Sequence, residues 1–428
     1  VIGVGAAVPR GEAVDPTAVA RPTAPARRRT TSEAGPVALV GTGVGWGGLE
    51  LSALDPEAER AYWIAVSLVP GIGPVGFARI LHRFGSARRA WAAGPAMLEG
   101  LPRLPDDALS GLGRLRRASA SSIARRVLSA VRAAGGSLVT GLDDGYPPAL
   151  RTTDPRPPVL YVSGDQAAFE GPAVAVVGTR RATGYGRSSA IEIADELARA
   201  GVTVVSGLAV GIDGEAHAAA LAAGGRSVAV LPSPLDRVYP PRHRELAARL
   251  VASGGALVSE LAPGHAPGRP DFARRNRIIA GLSSAVVVVE APDRSGALLT
   301  AAAAVEIGRE VYAVPGPIDA LASRGCNRLI ADHLAVIVTS PAALINSIGL
   351  RRGDRPVSIT SLSDAEGLVL HLLLKRPASI EELIAPTRLR PGALASALTL
   401  LEARGLATSY GGVTFHPTLA ARRLGSNG

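Results

Sequence analysis

The stretch AVAVVGTRRATGYGRSSAIEIADELARAGVTVVSGLAVGID, residues 173–213, holds two turns of one pattern. A short apolar run, Val174–Val177, ends in a glycine-bearing loop and leads into an amphipathic segment, Gly186–Arg199. A second run, Val202–Val205, ends in Ser206-Gly-Leu-Ala-Val-Gly-Ile-Asp213 and leads into Asp213–Ala223. Neither run alternates apolar with polar residues, so both faces of each strand are expected to be covered. The unit continues to residue 340. Strands are expected at Ser227–Leu231, Ala256–Ser259, Ala285–Glu290, Val311–Val314 and Ala335–Val338, with helices Arg242–Ala252, Phe272–Leu282 and Ala297–Ile307 between them. Repeated βα units predict an α/β fold with a doubly wound parallel sheet. Ligands of such sheets bind outside the carboxyl ends of the strands, so the strand-to-helix loops should carry the chemistry.

Four such segments stand out. The first, Val177-Gly-Thr-Arg-Arg-Ala-Thr-Gly-Tyr-Gly186, follows a strand and opens a helix, a setting that suits an anion. It lacks the Gly-Lys-Ser/Thr ending of a nucleotide phosphate loop, and its glycines at 178, 184 and 186 miss the dinucleotide spacing. With Gly178 and Thr179 forming the turn, Arg180 and Arg181 suit phosphodiester oxygens by paired donors; the alternative is a solvated pair on a structural turn. In the second loop Ser206 and Gly207 can donate to a phosphate, Asp213 reads as a helix cap, and His217 reads as structural. In the third, Arg269, Arg274, Arg275, Asn276 and Arg277 surround Phe272. Cations there can follow a sugar-phosphate backbone while an aromatic stacks on a base; alternatively Phe272 is core and the arginines form ion pairs. In the fourth, Glu290-Ala-Pro-Asp-Arg-Ser-Gly-Ala-Leu-Leu-Thr300, Ser295 and Gly296 open a helix, while Glu290 and Thr300 can be satisfied internally. No His/Cys metal cluster, Gly-x-Ser-x-Gly elbow or nucleophile–base pair is legible. Asp213, Glu215 and Glu290 are a carboxylate set that spacing alone does not assemble.

The flanks read differently. Residues 1–55, rich in Ala, Gly, Pro and Thr with Arg27-Arg-Arg29, are expected to be a disordered tail. Residues 57–134 read as helices, with Val69-Pro-Gly-Ile-Gly-Pro74 a turn that resembles a helix-hairpin-helix; a tight turn with purely structural glycines is equally open. Residues 141–172 read as an irregular connector attached to a core at 141–345, and 341–357 as a second polar connector. Residues 358–417 read as three helices and a hairpin about Gly411-Gly412, a winged-helix pattern with a capping box at Ser363-Asp-Ala-Glu366. Gly392–Leu401 carries no charge, which favours protein contact or packing over groove binding.

The 428 residues carry a net charge of +10, and Lys375 is the sole lysine beside 45 arginines. With Ala, Gly and Pro also abundant, GC-rich coding accounts for the arginine bias. The charge is uneven: residues 57–140 hold 12 arginines against five acidic residues, and residues 171–345 hold 17 against 15. A single cysteine, Cys326, excludes a disulfide framework and a Cys-based zinc site. No run of about 18 apolar residues predicts a membrane span, and no signal peptide is evident, so a cytoplasmic setting is expected.

Six ordered motifs, VGTRR, SGLAVGID, RRNRIIAGLS, EAPDRSGALLTA, GREVYAVPG and GCNRLI, resemble the DNA-processing protein A family (DprA, also called Smf). The resemblance spans residues 57–417 and is densest over 173–340. It implies an extended Rossmann-like core that binds single-stranded DNA, dimerises and helps load the RecA recombinase during natural transformation, protecting incoming DNA, with no cofactor and no enzymatic activity. The helical N-terminal (helix-hairpin-helix or SAM-like) and winged-helix C-terminal segments fit it. It implies DNA-binding roles for Gly178, Thr179, Arg180, Arg181, Ser206, Gly207, Arg269, Phe272, Arg275, Asn276, Arg277, Ser295, Gly296 and Thr300. Arg269 stands where family members often have lysine. Gly325–Ile330 matches the segment associated with dimer and RecA contacts, but the following Ala331-Asp-His-Leu-Ala335 departs from the usual Gly-Ala ending. The N-terminal tail lies outside the pattern. The rival expectation is a Rossmann-like nucleotide or phosphoribosyl hydrolase related to cytokinin-releasing enzymes. Their Pro-Gly-Gly-x-Gly-Thr-x-x-Glu signature is not found; Ser295-Gly-Ala-Leu-Leu-Thr300 occupies the comparable place.

Overall fold

The computed structural model describes Trp46, Leu49, and residues 51–349, 362–404, 406–410 and 414–417. The expected tail up to residue 45, the Arg351–Arg355 connector and the Gly411-Gly412 turn lie outside these residues.

Five helices come first: α1 (Pro56–Ser67), α2 (Pro74–Phe84), α3 (Ala87–Ala93), α4 (Ala108–Leu115) and α5 (Ala120–Ala133). Local chemistry starts them. Asp55 caps α1 by accepting from the amides of Glu57 and Ala58, and Pro56 and Pro74 open α1 and α2. Buried Glu59 accepts from the amides of Ala87 and Arg88 and so closes the N-terminus of α3. Val69 and Ile72 of the glycine turn are buried within this helical cluster. Trp46, expected in the tail, is buried as well: it stacks 5.9 Å from Phe77, which lies 4.9 Å from Trp63. The packed chain therefore starts before residue 55.

A nine-stranded sheet follows: β1 (Ser137–Thr140), β2 (Val159–Gly164), β3 (Ala173–Val177), β4 (Thr203–Ser206), β5 (Ser227–Val230), β6 (Ala256–Ser259), β7 (Ala285–Val288), β8 (Glu310–Ala313) and β9 (Val336–Ile337). Its order is β1-β2-β6-β5-β4-β3-β7-β8-β9. From β6 to β9 all neighbours are parallel, and chain order reverses about β3, which makes the sheet doubly wound. The expected irregular connector is corrected here. It contains one-turn α6 (Pro148–Arg151) and β2, which pairs antiparallel with both β1 and β6. Val159, Leu160, Tyr161 and Val162 are all buried, and flanking prolines disguise so short a run.

The remaining core helices are α7 (Gly184–Arg199), α8 (Ile212–Ala222), α9 (Arg244–Ala252), α10 (Arg269–Leu282), α11 (Gly296–Glu306), α12 (Arg324–Ala331) and α13 (Pro341–Ser347). Strand residues point alternately into two cores. Val174 and Val176 pack with α7 and α8, while Ala175 and Val177 pack with α10 and α11. Two covered faces explain the unalternating apolar runs; each fully buried valine contributes about 1.5–3 kcal/mol. The stretch expected as a polar connector from 341 begins with α13, whose Leu344 and Ile345 are buried.

Helices α14 (Asp364–Lys375), α15 (Ile380–Thr387) and α16 (Pro391–Ala403) pack with a three-stranded sheet of β10 (Ala378–Ser379), β11 (Ala407–Tyr410) and β12 (Thr414–Pro417). The Ser363/Glu366 capping box forms: Ser363 N donates to Glu366 at 2.8 Å and Glu366 N to Ser363 Oγ at 3.3 Å.

Candidate functional site

The loops that leave β3, β4 and β5 meet α10 at the carboxyl ends of the strands and enclose a cavity of about 270 Å³. The β4–α8 loop forms its floor. Asp213, in the first turn of α8, accepts from the amides of Gly207 (3.1 Å) and Ala209 (3.4 Å). It was expected to cap α8; instead its carboxylate folds the preceding loop. Buried Arg275 donates to the carbonyls of Gly207 and Val230 and to Asn276 Oδ1, which ties the loop after β4 to β5 and α10. Gly207 is required by this approach: a Cβ there would lie 2.1 Å from Arg275 Nη1. Gly211 is required by its φ of +84° and by Thr179 O, 2.4 Å from where its Cβ would stand.

Two histidines hold Leu208 from opposite sides. Leu208 N donates to His217 Nε2 at 3.3 Å, and Leu208 O lies 2.8 Å from His243 Nδ1. Leu208 has φ +57°, a left-handed conformation that costs a non-glycine residue and persists here under these contacts. Ser227 Oγ donates to Val204 O, so it accepts from His217 Nδ1–H at 2.7 Å. His217 is thereby fixed as one neutral tautomer, and burial, with His243 and Arg275 nearby, pushes its pKa down to about 3. Burial lowers Arg275 to about 10 against the pull of Asp213, so it stays charged at neutral pH. Burial raises Asp213, opposed by Arg275 and the surrounding amides.

The rim is different in kind. Phe272, half-buried on the first turns of α10, meets Tyr239 edge-on at 5.4 Å, and the Arg180 guanidinium lies 5.1 Å over the Phe272 ring. Tyr239 is 41% exposed, so an aromatic surface is presented to an incoming ligand. Arg242 also lines the cavity, and Arg269 stands one helical turn before Phe272, exposed. Among the described residues neither Arg180, Arg242 nor Arg269 pairs with a carboxylate.

The other expected site residues lie elsewhere. The anion seat expected at the start of α7 is filled from within: Glu290, 2% exposed, accepts from Thr183 N at 2.9 Å and Thr183 Oγ1 at 2.6 Å. Gly178 sits between Ile212 and Glu290, and Thr179 N donates to Glu290 O. Arg181 is exposed, and its amide donates to Thr179 Oγ1. Ser206 was expected to donate to a phosphate; its hydroxyl is buried and donates to Val176 O instead. Asn276 donates to Gly296 O, Ser295 caps α11 through Ala297 N, and Thr300 is buried. Arg277 is engaged by Glu260 and Pro155 O. Asp213 and Glu290 occupy separate hydrogen-bond networks rather than one carboxylate site. No group of three or more His, Cys, Asp or Glu among the described residues is arranged to hold a metal. No described helix is long and apolar enough to cross a membrane.

Sequence reading missed Tyr239 and Arg242. Their signal was present in Leu231-Pro-Ser-Pro-Leu-Asp-Arg-Val-Tyr-Pro-Pro-Arg242, a long strand-to-helix loop with an aromatic between an apolar run and an arginine.

Comparison with known proteins agrees with this architecture. The family model for DNA recombination-mediator protein A matches residues 137–349, and that for the DprA winged helix domain matches residues 354–412. Protein Smf of Synechocystis is 33% identical over 401 residues, which cover 84% of this chain and 99% of that protein. A putative DNA processing protein DprA of Mycobacterium tuberculosis is 41% identical over 295 residues, 64% of this chain and 75% of that protein. The X-ray structure of DNA processing protein A from Streptococcus pneumoniae superposes with a TM-score of 0.56 at 30% identity, covering 66% of this chain and 95% of that one. With a near full-length relative, both family models and a shared fold, the chain belongs to the DprA/Smf family of DNA-processing proteins.

Proposed function

We propose that this protein is a non-enzymatic single-stranded DNA binder that acts as a recombination mediator. The observation that carries the reading is the Phe272–Tyr239 aromatic pair beneath exposed Arg180, in a cavity of about 270 Å³ at the strand ends. A stacked base satisfies the aromatic pair whatever its identity, and arginines that lack a carboxylate partner are matched to phosphates. Duplex DNA keeps its bases stacked inside the helix and does not offer one to such a pocket. Arg180, Arg269 and Arg242 would hold the backbone; Arg275 and Gly207 would shape the pocket. Loading of RecA during transformation, protection of incoming DNA and a cytoplasmic setting follow from family membership as part of the same reading. So does a homodimer, which the exposed Ile318, Leu321, Leu334 and Ile337 around edge strand β9 would favour. The winged helix is read as serving protein contact or packing rather than groove binding.

The test is fluorescence anisotropy with oligo-dT and with duplex DNA over a salt series. Oligo-dT should bind more tightly, and Arg180→Ala and Arg269→Ala should each weaken binding and lower the salt slope by about 0.7. Unchanged affinity in both variants would overturn the site. Robust hydrolysis of nucleoside monophosphates by the pure protein would favour the hydrolase instead.

A further inference from the structure

Past Arg180 and Arg242, which border both spaces, the base cavity opens into a larger hollow of about 530 Å³ between α8 and α9. Arg187 and Arg249 stand on its walls, with Glu215 and Glu245. Glu215 is already met by Arg187 at 3.5 Å, whereas exposed Arg249 has no carboxylate partner among the described residues. Four exposed arginines against two glutamates leave the lining of the hollow net positive. The two spaces differ in character as well as size. The smaller is aromatic and suits one base; the larger is polar and within the range that holds a nucleotide-sized group.

We propose that this hollow is a second subsite, taking the sugar-phosphate of the nucleotide adjacent to the one stacked on Phe272. One strand then spans both spaces, with Arg180 and Arg242 at the crossing. The inference rests on the single-stranded DNA reading above and adds to it a direction of travel across α8 and α9. A strand whose base enters the small cavity must carry its neighbouring phosphate out of it. A cationic hollow that shares two of the cavity's arginines is placed to receive that phosphate.

The test uses the full chain and labelled dT15 in a sodium chloride series, with a 2-aminopurine strand reporting base stacking. Arg249→Gln should weaken dT15 binding about threefold and lower the salt slope by about 0.7. The quenching of 2-aminopurine at saturation should stay as in the wild type, because the base still stacks. Arg249→Lys should restore the slope, and Glu245→Gln, which removes a negative wall charge, should tighten binding about twofold. Arg249 is exposed, so its variants should melt with the wild type, which separates lost binding from lost fold. Wild-type affinity and slope in Arg249→Gln, with Phe272→Ala still weakened, would overturn the second subsite and leave the base pocket standing. Wild-type binding in Phe272→Ala as well would bring down the pocket reading and this inference with it.

Discussion

Arg275 and Arg180 line the same cavity and do opposite work. Arg275 is 7% exposed and spends its donors on Gly207 O, Val230 O and Asn276. Arg180 is exposed, lies over Phe272 and meets no carboxylate among the described residues. The floor of the site, the β4–α8 loop with Asp213, His217, His243 and Arg275, is saturated with internal hydrogen bonds. The rim, Arg180, Tyr239, Arg242 and Phe272, is left with unspent charge and aromatic faces. Residue type therefore does not assign function here; the state of each residue's hydrogen-bonding capacity does. Buried donors set the shape of the pocket, and exposed ones are available to a ligand.

The division predicts that floor variants lose stability and rim variants lose binding. The largest effect is expected at Arg275. Arg275→Ala removes the bracket between two strand-end loops and strands the buried Asp213 carboxylate without its compensating charge. A loss of about 3–5 kcal/mol in urea denaturation is expected. Arg275→Lys should not recover it, because one ammonium cannot reach Gly207, Val230 and Asn276 from a single point. A normal urea midpoint with abolished DNA binding would move Arg275 to the rim and break the comparison.

Phe272 tests the other side. Phe272→Ala should weaken oligo-dT binding by about 1–3 kcal/mol, roughly 5- to 150-fold in Kd. Its effect on the urea midpoint should be smaller, since the ring is only half-buried. Phe272→Leu sharpens the point by keeping apolar volume and removing the stacking face. It should hold the midpoint and still lose most of the affinity. Equal losses of stability and affinity in both variants would mean that Phe272 is core.

The same distinction governs what could be read from the sequence. The parallel strands were legible because four or five consecutive apolar residues need two covered faces. β2 was not, because its run sits among prolines that read as a connector. The loop motifs located the site, since ligands of such sheets gather at strand ends. Whether a donor faces inward was not legible: Arg275, Asn276 and Arg277 follow one another in α10, and only the packing of α10 on β5 and α11 turns them to Val230, Gly296 and Glu260. The helix N-terminus at α7 looked open because its partner, Glu290, comes from a loop 107 residues away. Tyr239 was hidden for a simpler reason: a lone aromatic in a proline-rich loop has no periodicity to mark it.

The last test concerns pH, and it separates floor from rim without touching the rim. His217 has a folded pKa near 3 against 6.5 for the free side chain. Its Nε2 already accepts from Leu208 N, so a second proton would set two donors against each other. Between pH 6.5 and 3 the unfolded chain therefore binds a proton that the folded chain refuses. Unfolding then takes up protons, and stability falls as pH falls, by up to about 1.4 kcal/mol per pH unit from this group. His217→Gln keeps an acceptor for Leu208 and cannot titrate. Its stability should start lower than the wild type at pH 7, and the gap should close as the pH is lowered toward 4, measured by urea denaturation at each pH. The substitution leaves the rim arginines in place, so the salt slope for oligo-dT, measured on the folded fraction, should not change with it. A stability gap that is the same at pH 7 and pH 4 would show that His217 is not held neutral. The floor would then owe its rigidity to Asp213 and Arg275 alone.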